Sequence, residues 1–360
     1  MADIPILRPE AVTPRWLTKV LAQGGVDADV RGFSSTPIGT GQIGQSVKFT
    51  LDYARKGEDA PASLVGKFPS PGEESRNTGV ALGNYVREVN FYRTLAPTAL
   101  ISLPKCYFTD VDPATSEFVL MMEDLSPAEQ GDQLRGCTLE QARLAVAEAA
   151  NLAASHWGDA AIEQYPWVSG TKAAANLGSA DAGAVVGLWQ AFCARYESRL
   201  DDECRTIGEV LSANYPRYAA LYDGPKALAH NDFRPDNMMF ASARGGRPLT
   251  VLDWQSLSFG CAATDVAYFL GGSLPREVRR TQERELLAEY LERLRKLGVR
   301  DYTFDQLWND YRAHTFQLFL TAFYAAVIVT QTARGDDMFF AMLRGAADQI
   351  LDLDSLSFIR

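Results

Sequence analysis

From His230 to Asn237 the chain reads HNDFRPDN, and downstream the apolar run Leu249–Leu252 ends in Asp253 and Trp254. A carboxylate at Asp232, a carboxamide five residues later at Asn237 and a second carboxylate closing an apolar strand present three oxygen donors. That set suits phosphoryl transfer. One acidic group can orient an attacking hydroxyl and accept its proton, while the others hold Mg²⁺ against the phosphates of a nucleotide. Asp and Asn also favour turns, and an aspartate can simply cap a strand, so the loop alone leaves that plainer reading open.

HxDxxxxN with a strand-borne aspartate downstream resembles the catalytic loop and metal site of the protein-kinase-like superfamily. Within it, the resemblance is to the aminoglycoside phosphotransferase and choline kinase branch, including the ecdysteroid-kinase-like group. It implies Asp232 as catalytic base, Asn237 and Asp253 as Mg²⁺ ligands, and His230 as a structural member of the loop. Arg234 takes the place of a phosphate-contacting lysine and would stabilise charge on the transferred group. Asp265, in TDVAYFL, resembles the aspartate that starts the next helix and braces the loop, with a plain helix-start acid as the alternative.

A chain of this kind is expected to carry three upstream features in a fixed order, and all three occur. Residues 39–44 spell GTGQIG, in which Gly39, Gly41 and Gly44 permit tight turning and close backbone approach to phosphate oxygens. A dinucleotide fold would need a strand before this motif and a helix after it, whereas a β-like segment follows. Lys67, in LVGKF, resembles the lysine that contacts the α- and β-phosphates of ATP, and Glu88, on an expected helix, the glutamate that pairs with it. Arg87 beside it reads as solvent-exposed. In FVLMMEDL, Phe118–Leu125, the resemblance sets the purine edge against the backbone of Glu123 and Leu125, with Met122 beside the ring. Backbone contacts of that kind do not discriminate ATP from GTP.

Two departures narrow the reading. The glycine loop carries one residue more before Val47 than GxGxxGxV, which leaves its geometry open. Trp254-Gln255 replaces Phe-Gly after the aspartate, and only eleven residues separate Asp253 from Asp265, too few for a protein-kinase activation segment. A polypeptide acceptor is thereby disfavoured, and a hydroxyl of a small molecule, such as an aminoglycoside, choline or another alcohol, is expected instead. The acidic runs Asp201-Asp202-Glu203 and Asp336-Asp337 would suit a cationic acceptor if they face it, or a solvated surface if they do not. A non-catalytic nucleotide-binding module is the alternative that the irregular glycine loop keeps in play.

The elements that must position these residues fall into two groups. A helix over 13–23, with Gly24-Gly25 as its stop, precedes β-like segments at Val47–Tyr53, Leu64–Phe68, Cys106–Asp110 and Phe118–Met122, interrupted by a helix over 84–95. After residue 123 helical spacing dominates: a capping box at Thr138 and Gln141 opens a helix running to Trp157, and others are expected over 183–203, 279–297 and 303–333. The expected fold class is α+β and bilobal, of protein-kinase-like type. It comprises a small β-rich lobe over 1–122 and a larger helical lobe over 123–360, with a ligand cleft between them.

Bulk properties agree. At 360 residues and 47% hydrophobic the chain can bury a large core, and its net charge of −10, with no Lys/Arg block, argues against a nucleic-acid partner. Five cysteines without CxxC spacing and a start lacking signal-peptide character point to reduced thiols and the cytoplasm. The most apolar window, Phe316 to Val329, is shorter than the ~20 residues of a membrane span and reads as a buried core helix. Oligomeric state leaves no sequence signal.

Overall fold

The computed structural model describes residues 4–39, 43–169 and 182–360 and divides into two compact units. One comprises Met1–Pro97 with Leu103–Ser126, the other Thr98–Ser102 with Pro127–Arg360. The architecture is mixed α and β.

The first unit is built on a five-stranded antiparallel sheet of order β1-β2-β3-β5-β4, with β1 at Asp29–Ile38, β2 at Gly44–Arg55, β3 at Ser63–Pro69, β4 at Cys106–Val111 and β5 at Phe118–Glu123. Phe49, Leu64, Phe68, Val119 and Met121 are fully buried in its core, each aromatic or aliphatic side chain contributing about 1.5–3 kcal/mol of burial. Gly66 has a packing reason. A Cβ there would lie 2.6 Å from the Phe68 ring and 2.8 Å from Met121 Sδ, so the position has no room for a side chain beside Lys67.

Helix α1, Pro14–Gln23, covers one edge of this core with Trp16, Leu17, Val20 and Leu21; Thr13 caps it by accepting from the Trp16 amide at 3.2 Å. Two further helices follow β3. Helix α2, Glu73–Ala81, was not foreseen, since its largely polar sequence carries no clear apolar face. Helix α3, Asn84–Asn90, continues into a π-helical turn, Phe91–Leu95, so the expected helix over 84–95 forms with one wide turn at its end.

The second unit is mainly helical. Helix α4, Leu139–Ser155, starts at the expected capping box, in which Thr138 and Gln141 satisfy each other's backbone amides. The helix expected over 183–203 ends early: α5 runs Ala182–Tyr196, and Asp201 caps a separate α6, Asp202–Ala213, by accepting from the Cys204 amide at 2.7 Å. A two-strand ladder joins β7, Lys226–Ala229, to β10, Ser258–Cys261, and a three-strand sheet joins β6, Glu129–Gln130, to β8, Met238–Ser242, and β9, Gly245–Val251.

Helices α7, Thr264–Ser273, and α8, Arg276–Lys296, follow. The single helix expected over 303–333 is two, α9 at Phe304–Ala313 and α10 at Phe316–Ile328, because the chain breaks at His314-Thr315. The last long helix, α11, spans Ala333–Asp352. α10 packs against α5 through Trp189, Phe192, Phe319 and Phe323, whose rings meet at 5.3–6.3 Å, and lies against α11 as well. The apolar window is thus a buried core helix, and among the described residues no helix is long and apolar enough to cross a membrane. The described cysteines are all free thiols.

Candidate active site

In the second unit the loop from His230 to Asn237 leaves β7 and enters β8, and the β8–β9 hairpin folds the downstream aspartate back onto it. Met238 pairs with Val251, and the Leu252 amide donates to the Asn237 carbonyl at 2.9 Å, so Asp253 stands one residue beyond a direct backbone bond to Asn237. Asp253 itself adopts a left-handed conformation at φ +69°, which Asp tolerates better than most residues, and Asn231 does the same at +62°.

Asp232 is held on both carboxylate oxygens. Oδ1 accepts from Arg234 Nε at 2.8 Å and from the Tyr268 hydroxyl at 2.9 Å; Oδ2 accepts from Asn237 Nδ2 at 2.7 Å. Asn237 Nδ2 also donates to the Asp232 carbonyl at 2.9 Å. With the amide nitrogen turned to Asp232, the polar atom that Asn237 presents elsewhere is its carbonyl oxygen, a hard neutral donor of the kind Mg²⁺ takes. Among the described residues no three His, Cys, Asp or Glu side chains cluster as a metal site by themselves. An amide-plus-carboxylate set is not of that type, and its chemistry fits Mg²⁺.

Asp265, His230 and Asn231 fix the loop, the first two of them buried. Asp265, at the start of α7, accepts the backbone amides of His230 at 2.7 Å and Asn231 at 2.9 Å, and burial pushes its carboxyl up from the usual range against the pull of those donors. This is the bracing contact expected of it. His230 is fully buried; its Nδ1 accepts from the Asp232 amide at 3.2 Å and its Nε2 lies 2.9 Å from the Leu252 carbonyl, which selects the Nε2–H tautomer. The ring thus ties the loop to the strand carrying Asp253, and Trp254 packs edge-on against it at 4.8 Å. Asn231 Nδ2 reaches the Ser256 carbonyl and Ser258 Oγ, both at 2.8 Å.

Arg234 is largely buried. Besides Asp232, it donates from Nη1 to Asp236 at 2.8 Å and to Met338 Sδ at 3.2 Å. Burial opposes its charge, but Asp232 and Asp236 hold the guanidinium protonated. Asp236 in turn receives the Gln133 amide and Arg334. Tyr268 and Asp236 were not singled out from sequence. For Tyr268 a signal existed, because it lies three residues after Asp265 and so shares its face of α7.

The first unit assembles the upstream features. Lys67 Nζ lies 2.8 and 2.9 Å from the two carboxylate oxygens of Glu88, with the glutamate 1% exposed. Gly39 is left-handed at φ +74°, and a Cβ at Gly44 would lie 3.0 Å from the Phe68 carbonyl and 3.5 Å from Lys67 Cε. Gly41 lies outside the described residues. Tyr85 of α3 fastens the end of this loop, donating its hydroxyl to the Ile43 carbonyl at 2.5 Å and stacking on Phe118. Arg87 corrects an expectation: it is 3% exposed rather than solvated, donates to the Leu82 carbonyl, and is pushed down to about 10 by burial.

At the end of β5, Met122 is buried and the Glu123 amide donates to the Lys105 carbonyl at 2.9 Å, while Leu125 is half-buried. Asp124, not foreseen, anchors this segment. It accepts from Lys48 at 2.6 Å, Ser63 Oγ at 2.5 Å and the Ser126 amide at 3.0 Å; burial works against ionisation, yet these donors hold its carboxyl below the usual range.

The model of the ecdysteroid kinase-like family matches residues 43–300, well over half of the chain. A microcompartment-associated aminopropanol kinase superposes with a TM-score of 0.54 at 14% identity, covering 96% of this chain and 99% of that one. An aminoglycoside phosphotransferase in complex with GDP and kanamycin gives 0.52 at 14% identity, covering 94% and 98%. The GDP complex of a wild-type aminoglycoside 2'-phosphotransferase gives 0.50 at 14%, covering 92% and 98%. Likeness at such identity speaks to fold, and the fold is the α+β, kinase-like one expected. Among curated proteins no sequence matches.

Proposed function

The chain belongs to the ecdysteroid kinase-like family, and from that premise we propose that it transfers the γ-phosphoryl group of ATP to a hydroxyl of a small molecule. The observation that carries the proposal is the grip on Asp232, whose Oδ2 and Oδ1 are both oriented while Asn237 turns its amide oxygen away from it.

In this reading Asp232 accepts a hydrogen bond from the acceptor hydroxyl, aims the oxygen lone pair at the γ-phosphorus and takes the proton as the new O–P bond forms and the bond from the γ-phosphorus to the β,γ-bridging oxygen breaks, ADP leaving with that oxygen. Asn237 and Asp253 would hold Mg²⁺, which when bound supplies charge neutralisation to the phosphates. Lys67, kept charged and extended by Glu88, contacts the donor's α- and β-phosphates. Gly39, Gly41 and Gly44 let backbone amides approach them, and Met122, Glu123 and Leu125 meet the purine. Arg234 retains Nη2 for charge developing on the transferred group, with its other nitrogens engaged by Asp232 and Asp236.

Two observations bear on the acceptor. β10 leads from the Asp253 segment directly into α7, which supports a small molecule over a polypeptide. The acidic runs are mostly occupied: Asp201 caps α6 and pairs with Arg344, Glu203 also pairs with Arg344, Asp336 accepts from Tyr196 and Gln331, and Asp337 pairs with Arg199. They offer little to a cationic acceptor. The test is coupled-enzyme detection of ADP release across a panel of alcohols, amino alcohols and aminoglycosides. Turnover with at least one of them, lost in Asp232→Asn with nucleotide binding retained, is expected; MgATP binding without turnover on any acceptor would favour the non-catalytic alternative.

A further inference from the structure

The candidate base is held from outside its own loop. The Tyr268 hydroxyl donates to Asp232 Oδ1 at 2.9 Å. A carboxylate at Asp232 is an acceptor only, so Tyr268 supplies the proton of this bond. Tyr268 is 1% exposed, so water does not compete for its hydroxyl, and it reaches Asp232 from α7, which packs against α10.

Resting on the phosphotransferase reading, we propose that Tyr268 is a positioning residue for the transfer step. Asp232 has a flexible χ2, and Asn237 and Arg234 alone would restrain it from the loop's own residues. Tyr268 adds a restraint from a different element, α7, itself braced by α10. It fixes which oxygen of Asp232 faces the acceptor, without touching substrate or nucleotide.

The test compares wild type and Tyr268→Phe. ADP release is followed with the acceptor turned over fastest by wild type, and MgADP binding by calorimetry. Positioning of the base predicts a kcat lowered roughly tenfold or more by Tyr268→Phe, with KM for ATP and MgADP affinity within about twofold of wild type. A Tyr268→Phe enzyme within about twofold of wild-type kcat overturns the assignment. A wild type that binds MgADP but turns over no acceptor counts against the phosphotransferase reading alone. The strut is then judged on crystal structures: an Asp232 carboxylate displaced in Tyr268→Phe supports it, and one that superposes on wild type overturns it.

Discussion

At the scale of single residues, the Lys67–Glu88 pair makes the sharpest demand on the fold. Both charges sit in or near the interior, at 11% and 1% side-chain exposure, so removing either breaks a desolvated ion pair. Lys67→Ala is expected to destabilise the protein by about 3 kcal/mol, read as a lowered midpoint in urea, and to weaken MgATP binding in the same variant. Retained stability with retained nucleotide affinity would contradict the role given to Lys67. Residues of this kind were legible from sequence because phosphoryl transfer restricts residue type: a base, oxygen ligands and a lysine with its glutamate have few substitutes. Tyr268, Asp124 and Tyr85 were not legible, since each matters through a partner that only the tertiary structure supplies. Arg87 was misread for the same reason: it reads as solvent-exposed in sequence, and only the tertiary structure buries it.

At the scale of elements, helices with caps and apolar spacing were legible: α1, α3 and α4 begin where Thr13, the 84–95 periodicity and Thr138 indicate. β1 was hidden, because most of its residues are exposed and its register comes from pairing with β2 rather than from alternation of its own sequence. The split of α9 from α10 was hidden because no Gly or Pro marks it. There His314 donates from Nδ1 to the Asp310 carbonyl beside Tyr218 and Tyr222, and burial pushes it down to about 4. The folded state refuses a proton that the unfolded chain takes below its ordinary 6.5. Stability is therefore full above about pH 6.5 and falls as pH drops toward 4, by about 2 kcal/mol from this group. In His314→Gln the Tm should fall less between pH 6.5 and 4 than in wild type; equal slopes would remove this corner as a source of the acid sensitivity. At the start of α4, Thr138→Ala is expected to cost about 1 kcal/mol, measurable by the same unfolding assay.

At the scale of the molecule, a β-rich unit and a helical unit each carry a separate set of the proposed site residues, and the family match spans 43–300 across both. If those sets serve one nucleotide, a non-hydrolysable ATP analogue with Mg²⁺ should raise Tm by mass action, by an amount that grows with ligand concentration and shrinks in Asp253→Asn. The acceptor is the part that residue type does not encode, because small-molecule recognition rests on shape and on half-buried apolar faces rather than on a restricted set of side chains.

The central claim is that Asp232 activates a small-molecule hydroxyl toward ATP. Steady-state ADP release across the alcohol, amino-alcohol and aminoglycoside panel, run side by side for wild type and Asp232→Asn, addresses it most directly. Wild type should turn over at least one acceptor to a phosphorylated product, and Asp232→Asn should show a kcat roughly 10²-fold or more lower with little change in ATP affinity. Undiminished turnover in Asp232→Asn, on an acceptor whose phosphorylated product is confirmed by mass spectrometry, would contradict it.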